Sequence, residues 1–422
     1  MQAMIRLVLS FFWISCSLQA GPAQAPPAAE TLSLERCIGI ALEHNPLVLS
    51  SLSQYRASLA RVNQAKAWSQ PSLDYDSDLQ PGLFDFRGSG ESYFGVSQTV
   101  EFPGKIGLRG KIAGKESEGI LADIDLLKLD LTFQVKGAFY GILIAQEKLK
   151  YAEQDLELAQ DFLNKAEVKH AAGDIALVEV LRARVEASKA ANAVRVAGNE
   201  VRLAKAQLNF LLARQKYEPL EVRGDIRRPF VSLDLEQLKE RALAFRPELK
   251  RIRFSLEREA LRKKQGALSY LPDFDLGVSR HRIEGEMTTW DFTLSFPIPL
   301  FFWQPKRGEI AEAEALMKSL QKEEEYLRNA ISLEVEEATM NALTAGQQIA
   351  LFEEQILTQA EEVYNMFLFS FQEGEIGGIE LIEARRTLIE ARKSYTDALF
   401  NYDITLAALE KSVGQSLKGE QK

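Results

Sequence analysis

The chain has little of what a catalytic or disulfide-stapled protein needs. Only two cysteines, Cys16 and Cys37, occur in 422 residues, and Cys16 lies in an N-terminal stretch that reads as a signal, so no intramolecular disulfide framework holds the fold. Histidine is almost as scarce: His44, His170 and His281 lack a carboxylate or cysteine at a recurring ligand spacing, and each reads as a surface residue. A nucleotide-binding P-loop, an HExxH zinc motif and a GxSxG nucleophile elbow are all missing, which argues against an enzyme and calls for no cofactor or bound metal. Any transport must draw its energy elsewhere. With 51 Lys and Arg against 60 Asp and Glu, the net charge of −9 has the wrong sign for a nucleic-acid partner. Beyond the N-terminal segment no run of about 18 apolar residues follows, so no transmembrane helix is expected. A membrane role would have to use strands.

Residues 1–25 read as a secretory signal: Arg6, an apolar run from Leu7 to Ile14, then small residues up to Ala23-Gln24-Ala25. Two endings stand. Ile14-Ser15-Cys16 resembles a bacterial lipoprotein signal, which would lipidate Cys16, and cleavage near Ala25 is the plainer alternative. Both export the mature chain.

What is abundant is self-similarity. GDIALVEVLRARVE from Gly173 is echoed by GEIGGIELIEARRT from Gly374, an offset of 374 − 173 = 201. The same offset lays Leu34 on Leu235, Ala41 on Ala242, Pro46 on Pro247, Pro71 on Pro272, Asp74 on Asp275 and Leu208 on Leu409. This is a tandem duplication, with a first repeat over 26–220 and a second over 221–422 that together make one structural unit. Each half reads as a helix, two strands, a very long helix, a glycine break and another helix. The helices are expected near 33–68, 105–170 and 175–214, then 235–269, 306–372 and 378–414.

From Ala138 the positions Ile142, Ala145, Leu149, Ala152, Leu156, Ala159, Leu163 and Ala166 continue an alternation of four- and three-residue steps. That is a coiled-coil seam in which alanine lets a neighbouring helix come close. Roughly 66 residues at ~1.5 Å each make a rod near 100 Å, and the shorter helices of each half, stacked end to end, would run beside it as an antiparallel hairpin.

The strands alternate. Phe274, Leu276 and Val278 interleave with Asp275, Gly277 and Ser279; Trp290, Phe292, Leu294, Phe296 and Ile298 interleave with Asp291, Thr293 and Ser295. Leu73, Tyr75 and Leu79, then Phe94, Val96, Val100 and Phe102, repeat the pattern. Such segments suit a transmembrane barrel wall or the half-buried strands of a soluble sheet. Combined with export and helical rods, the barrel is the economical reading. Four strands cannot enclose a passage, since even eight leave an interior filled by side chains, so association is required; three chains giving 3 × 4 = 12 strands are the economical expectation, and the sequence alone also permits other multiples. Turn-rich segments 80–91 and 280–288 read as exposed loops, and Pro103, Gly104, Pro297, Pro299 and Pro305 as strand stops before the long helices. Phe301, Phe302 and Trp303 belong either to the lipid interface or to the interior.

The LxLExxxxxALxxNP opening at Leu32, its repeat at Leu233, the paired strands and the glycine before an acidic helix start resemble the TolC-like outer-membrane factors across nearly all of the mature chain. That resemblance implies a mainly α fold with transmembrane β: tandem-duplicated helical hairpins plus four strands per chain. It also implies a homotrimer in the outer membrane of a Gram-negative bacterium, its 12-stranded barrel joined to a periplasmic helical barrel. The implied partners are outer-membrane lipid, a periplasmic adaptor and an inner-membrane resistance-nodulation-division transporter. VEFPGKIGLRGK from Val100 and PIPLFFWQPKRGEIAEAEA from Pro297 are similar to the cobalt-zinc-cadmium branch, implying heavy-metal efflux, with drug efflux, type I protein secretion or a non-porous coiled-coil stalk as alternatives.

The family's motifs further imply a constriction at Glu179, Phe371, Glu380 and Glu383, and hairpin tips that dock the adaptor at Gly173, Asp174, Ile175, Gly374, Glu375 and Ile376. Phe371 lacks a tyrosine hydroxyl and Ile376 stands where the family carries an arginine, so closure by packing is implied in place of a polar latch. Three apart on a helix, Glu380 and Glu383 share one surface, and three copies would bring 3 × 2 = 6 carboxylates around an axis, suited to cations. Complementing the helix macrodipole is the simpler alternative, and it is the reading preferred for Glu375.

Overall fold

The computed structural model describes residues 30–78, 90–224, 234–298, 300 and 305–417. The signal with Cys16, most of the loop at 80–91, Leu79, Pro299 and the aromatic run Phe301, Phe302 and Trp303 lie outside the described residues.

The first half opens with a short strand β1 (Glu30–Leu32), then α1 (Leu34–His44), α2 (Pro46–Ala65), β2 (Ser72–Asp78), β3 (Glu91–Val100), α3 (Lys105–Ala172), α4 (Leu177–Leu211) and β4 (Leu220–Val222). The second contains α5 (Leu235–Phe245), α6 (Pro247–Leu268), β5 (Phe274–Ile283), β6 (Thr289–Ser295), α7 (Pro305–Leu351), α8 (Leu357–Glu373) and α9 (Gly378–Val413). Ser33 caps α1 by accepting from Arg36 N, and Asp234 caps α5 by accepting from Glu236 N.

The helices expected at 33–68 and 235–269 are each two. A proline pushes its predecessor out of the helical region, and Asn45 (ψ 126°) and Arg246 (ψ 125°) comply, while Pro46 and Pro247 start the next helix with no N–H to lose. Both breaks grip the end of their own half's last helix. Asn45 Nδ2 donates to Leu211 O at 3.0 Å; Arg246 Nη1 donates to Ser412 O at 3.3 Å, and 412 − 211 is again 201. Different side chains do the same job at equivalent places.

α3 is unbroken for 68 residues, a rod of about 100 Å. The seam residues Ala138, Ile142, Ala159 and Ala166 are buried in it and Leu149, Ala152, Leu156 and Leu163 half-buried. Its counterpart is interrupted by one π turn at Phe352–Ile356 between α7 and α8, which the sequence pattern did not suggest.

Three apolar clusters are spaced along the rods. One in the first half gathers Leu32, Cys37, Ala41, Val135, Ile142 and Leu208; one in the second gathers Ala242, Ile331, Val335, Leu406 and Leu409. The third lies at the tip. Phe400 packs against both of the first two, and Lys136 pairs with Glu410 between α3 and α9, so the halves are joined through their cores.

The second joint is the sheet. Its order is β2-β3-β5-β6, antiparallel throughout, and the central pair β3–β5 brings the halves together with Val96 opposite Val278 and Tyr93 opposite His281. β1 and β4 form a separate parallel pair. Among the described residues no helix is long and apolar enough to cross a membrane.

Candidate functional site

Two regions carry the candidate residues: the tip, where the hairpins turn, and the sheet. At the tip Gly173 (φ 88°) and Gly374 (φ 79°) end the long helices in the left-handed conformation that glycine adopts without penalty. The next amides close the turns: Asp174 N donates to Lys169 O and Glu375 N to Ser370 O, each at 2.9 Å. Ile175 and Ile376, 201 apart, are half-buried against the tip cluster, whereas Asp174 and Glu375 are exposed.

Phe371 is 2% exposed, its ring edge-on to Phe162 at 5.2 Å between centroids. Within one chain it is a wedge between hairpins, facing its own core. Glu179 donates no charge freely either: Arg182 Nη1 lies 2.8 Å from its Oε1, while Oε2 is buried against Gly378. A Cβ at residue 378 would stand 2.8 Å from that oxygen and 3.2 Å from Phe162, so a larger residue at this helix start would have to displace the Glu179 carboxylate and shift the Phe162 ring. Glu380 and Glu383 are exposed on α9, the latter 2.9 Å from Arg386.

One turn above lies a charged cluster that the motifs did not suggest. Arg385 is 5% exposed and reaches Asp155 of α3 at 3.1 Å and Glu186 of α4 at 3.4 Å. Burial pushes the Asp155 carboxyl above its usual range against the pull of Arg385, with Glu186 adding to the rise. Burial also acts upward on Glu186, but Lys189, Arg385 and Arg386 together hold it below the ordinary value. The signal was present in the sequence as arginine on an apolar stripe: Leu381, Arg385, Leu388, Arg392 and Tyr395 follow three- and four-residue steps.

The sheet has two unlike faces. Asp74, Asp76, Glu91, Tyr93, Ser97, Asp275, His281, Asp291 and Thr293 share one, which carries no Lys or Arg among the described strand residues. His281, read as a surface residue, sits in this wall: its Nε2 is 2.7 Å from Glu91 Oε1, its Nδ1 3.5 Å from Asp291, and its ring stacks on Tyr93 at 4.0 Å. Cross-strand neighbours account for that placement, because Tyr93 and His281 are directly opposite. Leu73, Phe94, Val96, Leu276, Val278, Phe292 and Leu294 share the other face, on which Phe292 is 71% exposed. Among the described residues no element covers that face, as a soluble sheet would require, and the edges β2 and β6 are unpaired. Among the described residues, no group of three or more His, Cys, Asp or Glu is placed to hold a metal ion.

The outer membrane efflux protein family matches residues 37–214 and again 238–415, two stretches offset by 238 − 37 = 201. The chain belongs to the outer membrane efflux protein family. Its members are passive channels of the Gram-negative outer membrane with a periplasmic helical part, and this chain is one of them. The cobalt-zinc-cadmium resistance protein CzcC of Cupriavidus metallidurans is 26% identical over 387 residues, 88% of this chain and 87% of that one. Among solved structures, CusC superposes with a TM-score of 0.77 at 15% identity, covering 93% of this chain and 96% of CusC. OprN gives 0.75 at 18% identity over 91% and 90% of the two chains, and VceC of Vibrio cholerae 0.75 at 14% over 91% and 96%. The likeness to these three is one of fold.

Proposed function

We propose that three copies of this chain associate through the open edges of β2 and β6 into a passive duct for heavy-metal cations. An inner-membrane resistance-nodulation-division transporter would fill the duct through a periplasmic adaptor seated on the hairpin tips. The observation that carries the duct is the uncovered apolar face of the four-stranded sheet lying back to back with an acidic one. Such a sheet is stable when lipid wets one side and water the other. Cation cargo is supported by the acidic wall at Asp74, Asp76, Glu91, Asp275 and Asp291, by the exposed Glu380 and Glu383, and by the kinship with CzcC. In this reading Phe371 narrows the closed tip by holding the hairpins together, and Glu179 lies at the seam between them beside Gly378.

The test is a deletion strain challenged with zinc, cobalt, cadmium and copper, and in parallel with organic drugs. Lowered metal tolerance, restored by the gene on a plasmid, is expected. Sensitivity to drugs alone would overturn the metal cargo, and absence of any conductance from the folded trimer in planar bilayers would overturn the duct.

A further inference from the structure

The apolar face of the sheet ends in a pair of arginines. Arg280 and Arg282 on β5 share a face with Phe274, Leu276 and Val278, because strand residues two apart point the same way. Both are exposed, and among the described residues neither side chain makes a hydrogen bond or an ion pair. Arg280 stands in register between Phe94 of β3 and Trp290 of β6, which are 54% and 73% exposed. Arg282 lies one step further out, next to the turn at Glu284 to Glu286.

Depth follows from the strand. Phe274 to Arg282 is 282 − 274 = 8 steps. At ~3.3 Å each, tilted by about 40°, they rise roughly 20 Å, close to the height of the apolar band of a barrel. The long helices leave from the Phe274 end and lie in the periplasm, so the arginines are at the outward end. A charge on the lipid face is costly at mid-depth and nearly free at the interface, and arginine stems reach along apolar surface to place their heads there. β5 is an inner strand flanked by β3 and β6 of its own chain, so copies joined through the free edges leave this spot facing lipid. Phe94 and Trp290 are the aromatic residues expected at that level.

What meets two unpaired guanidinium groups there is an anion. The fork of arginine matches phosphate oxygens in pairs, and on a chain of net charge −9 a cationic pair on an otherwise uncharged face is a local complement to an anionic headgroup. We propose that Arg280 and Arg282 bind the phosphate of a phosphorylated glycolipid of the outer leaflet, bracketed by Phe94 and Trp290. The contact would anchor the barrel's depth and seal the wall at its outer rim.

The experiment uses the full-length trimer in detergent, titrated with lipid A, its dephosphorylated form, phosphatidylglycerol and inorganic phosphate, with bound lipid counted by native mass spectrometry. Lipid A is expected to bind about tenfold more tightly than the dephosphorylated form, and Arg280→Ser with Arg282→Ser to remove that difference. Arg280→Lys with Arg282→Lys, which keeps charge and loses the fork, is expected to fall between. Equal binding of lipid A and its dephosphorylated form by the unaltered trimer would overturn the proposal even if the serine variant fails to assemble. Equal binding by a folded serine variant would overturn it too. Phosphatidylglycerol binding as tightly as lipid A would overturn the glycolipid, and displacement by millimolar phosphate would make the pair a free-phosphate site.

Discussion

Lys169 and Phe371 are joined across the tip: Lys169 Nζ donates to the Phe371 carbonyl oxygen at 2.9 Å and stands 5.2 Å from the centroid of its ring. The same ammonium reaches Gln372 O at 3.1 Å. These are among the last carbonyls of α8, which carry the negative end of its dipole, and Phe371 O also accepts from the cap amide Gly374 N at 3.2 Å. The last turn of one long helix therefore caps the last turn of its duplicate. Changing Lys169 to Ala should cost about 1–2 kcal/mol, the worth of a partly exposed charged hydrogen bond, and free the hairpins to part. In planar bilayers the variant should open more often than the unaltered channel. An unchanged open probability with a lowered unfolding temperature would give Lys169 a role in stability only.

The buried acid of the second tie sets a pH dependence. The folded pKa of Asp155 is raised, first by burial, so its contribution is fully present below the unfolded value near 3.8 and is lost as pH rises through the folded one. Glu186 has a lowered folded pKa, so its contribution is present above 4.5 and is lost as pH falls below that value. Asp155→Asn should remove the first loss and keep the second. Thermal unfolding of the trimer between pH 4 and 7 should show the variant gaining on the unaltered protein as pH rises, and a constant gap would contradict the assignment.

What was legible in the sequence was periodic or repeated. The seam from Ala138, the alternation around Phe292, the tip glycines and the 201-residue offset are patterns within one element or between copies of it, so they are present before folding. Pro46 and Pro247 also signalled the helix breaks, but the apolar pattern runs on across them and hides the change of direction. Contacts that depend on how the halves meet were not legible. Lys169 with Phe371, Arg385 with Asp155, and His281 between Glu91 and Asp291 join residues from different elements brought together by packing and strand register. Among the tip residues singled out by motif, Phe371 and Glu179 turn inward to the hairpin contact, while Glu380 and Glu383 stay on the surface.

The duplication also exposes a strained residue. Ala213 (φ 57°) ends α4 in the left-handed region, and its counterpart 414 − 213 = 201 residues on is Gly414 (φ 82°). A Cβ costs about 1 kcal/mol in that conformation. Ala213→Gly should therefore stabilise the trimer by up to about 1 kcal/mol, reduced by the freedom glycine adds to the unfolded chain, and Gly414→Ala should destabilise it. Urea unfolding midpoints decide it; a lower midpoint for Ala213→Gly would show that the strain is relieved elsewhere.

The acidic pair on α9 should act unequally. Glu383 is held by Arg386, which also stands 3.6 Å from Glu186, whereas Glu380 is exposed at the start of the helix. Removing Glu383 leaves Arg386 paired with Glu186 alone, so the substitution also rearranges a positive charge that Glu383 now holds. Removing Glu380 entails no comparable rearrangement. If the tips converge around the axis, Glu380→Ala should lower the cation-to-anion permeability ratio by about fivefold, the factor that ~1 kcal/mol of Coulomb energy represents, with Glu383→Ala smaller and the double variant largest. Reversal potentials in a salt gradient measure this, and equal values for all three variants and the unaltered channel would place these carboxylates outside the conducting path.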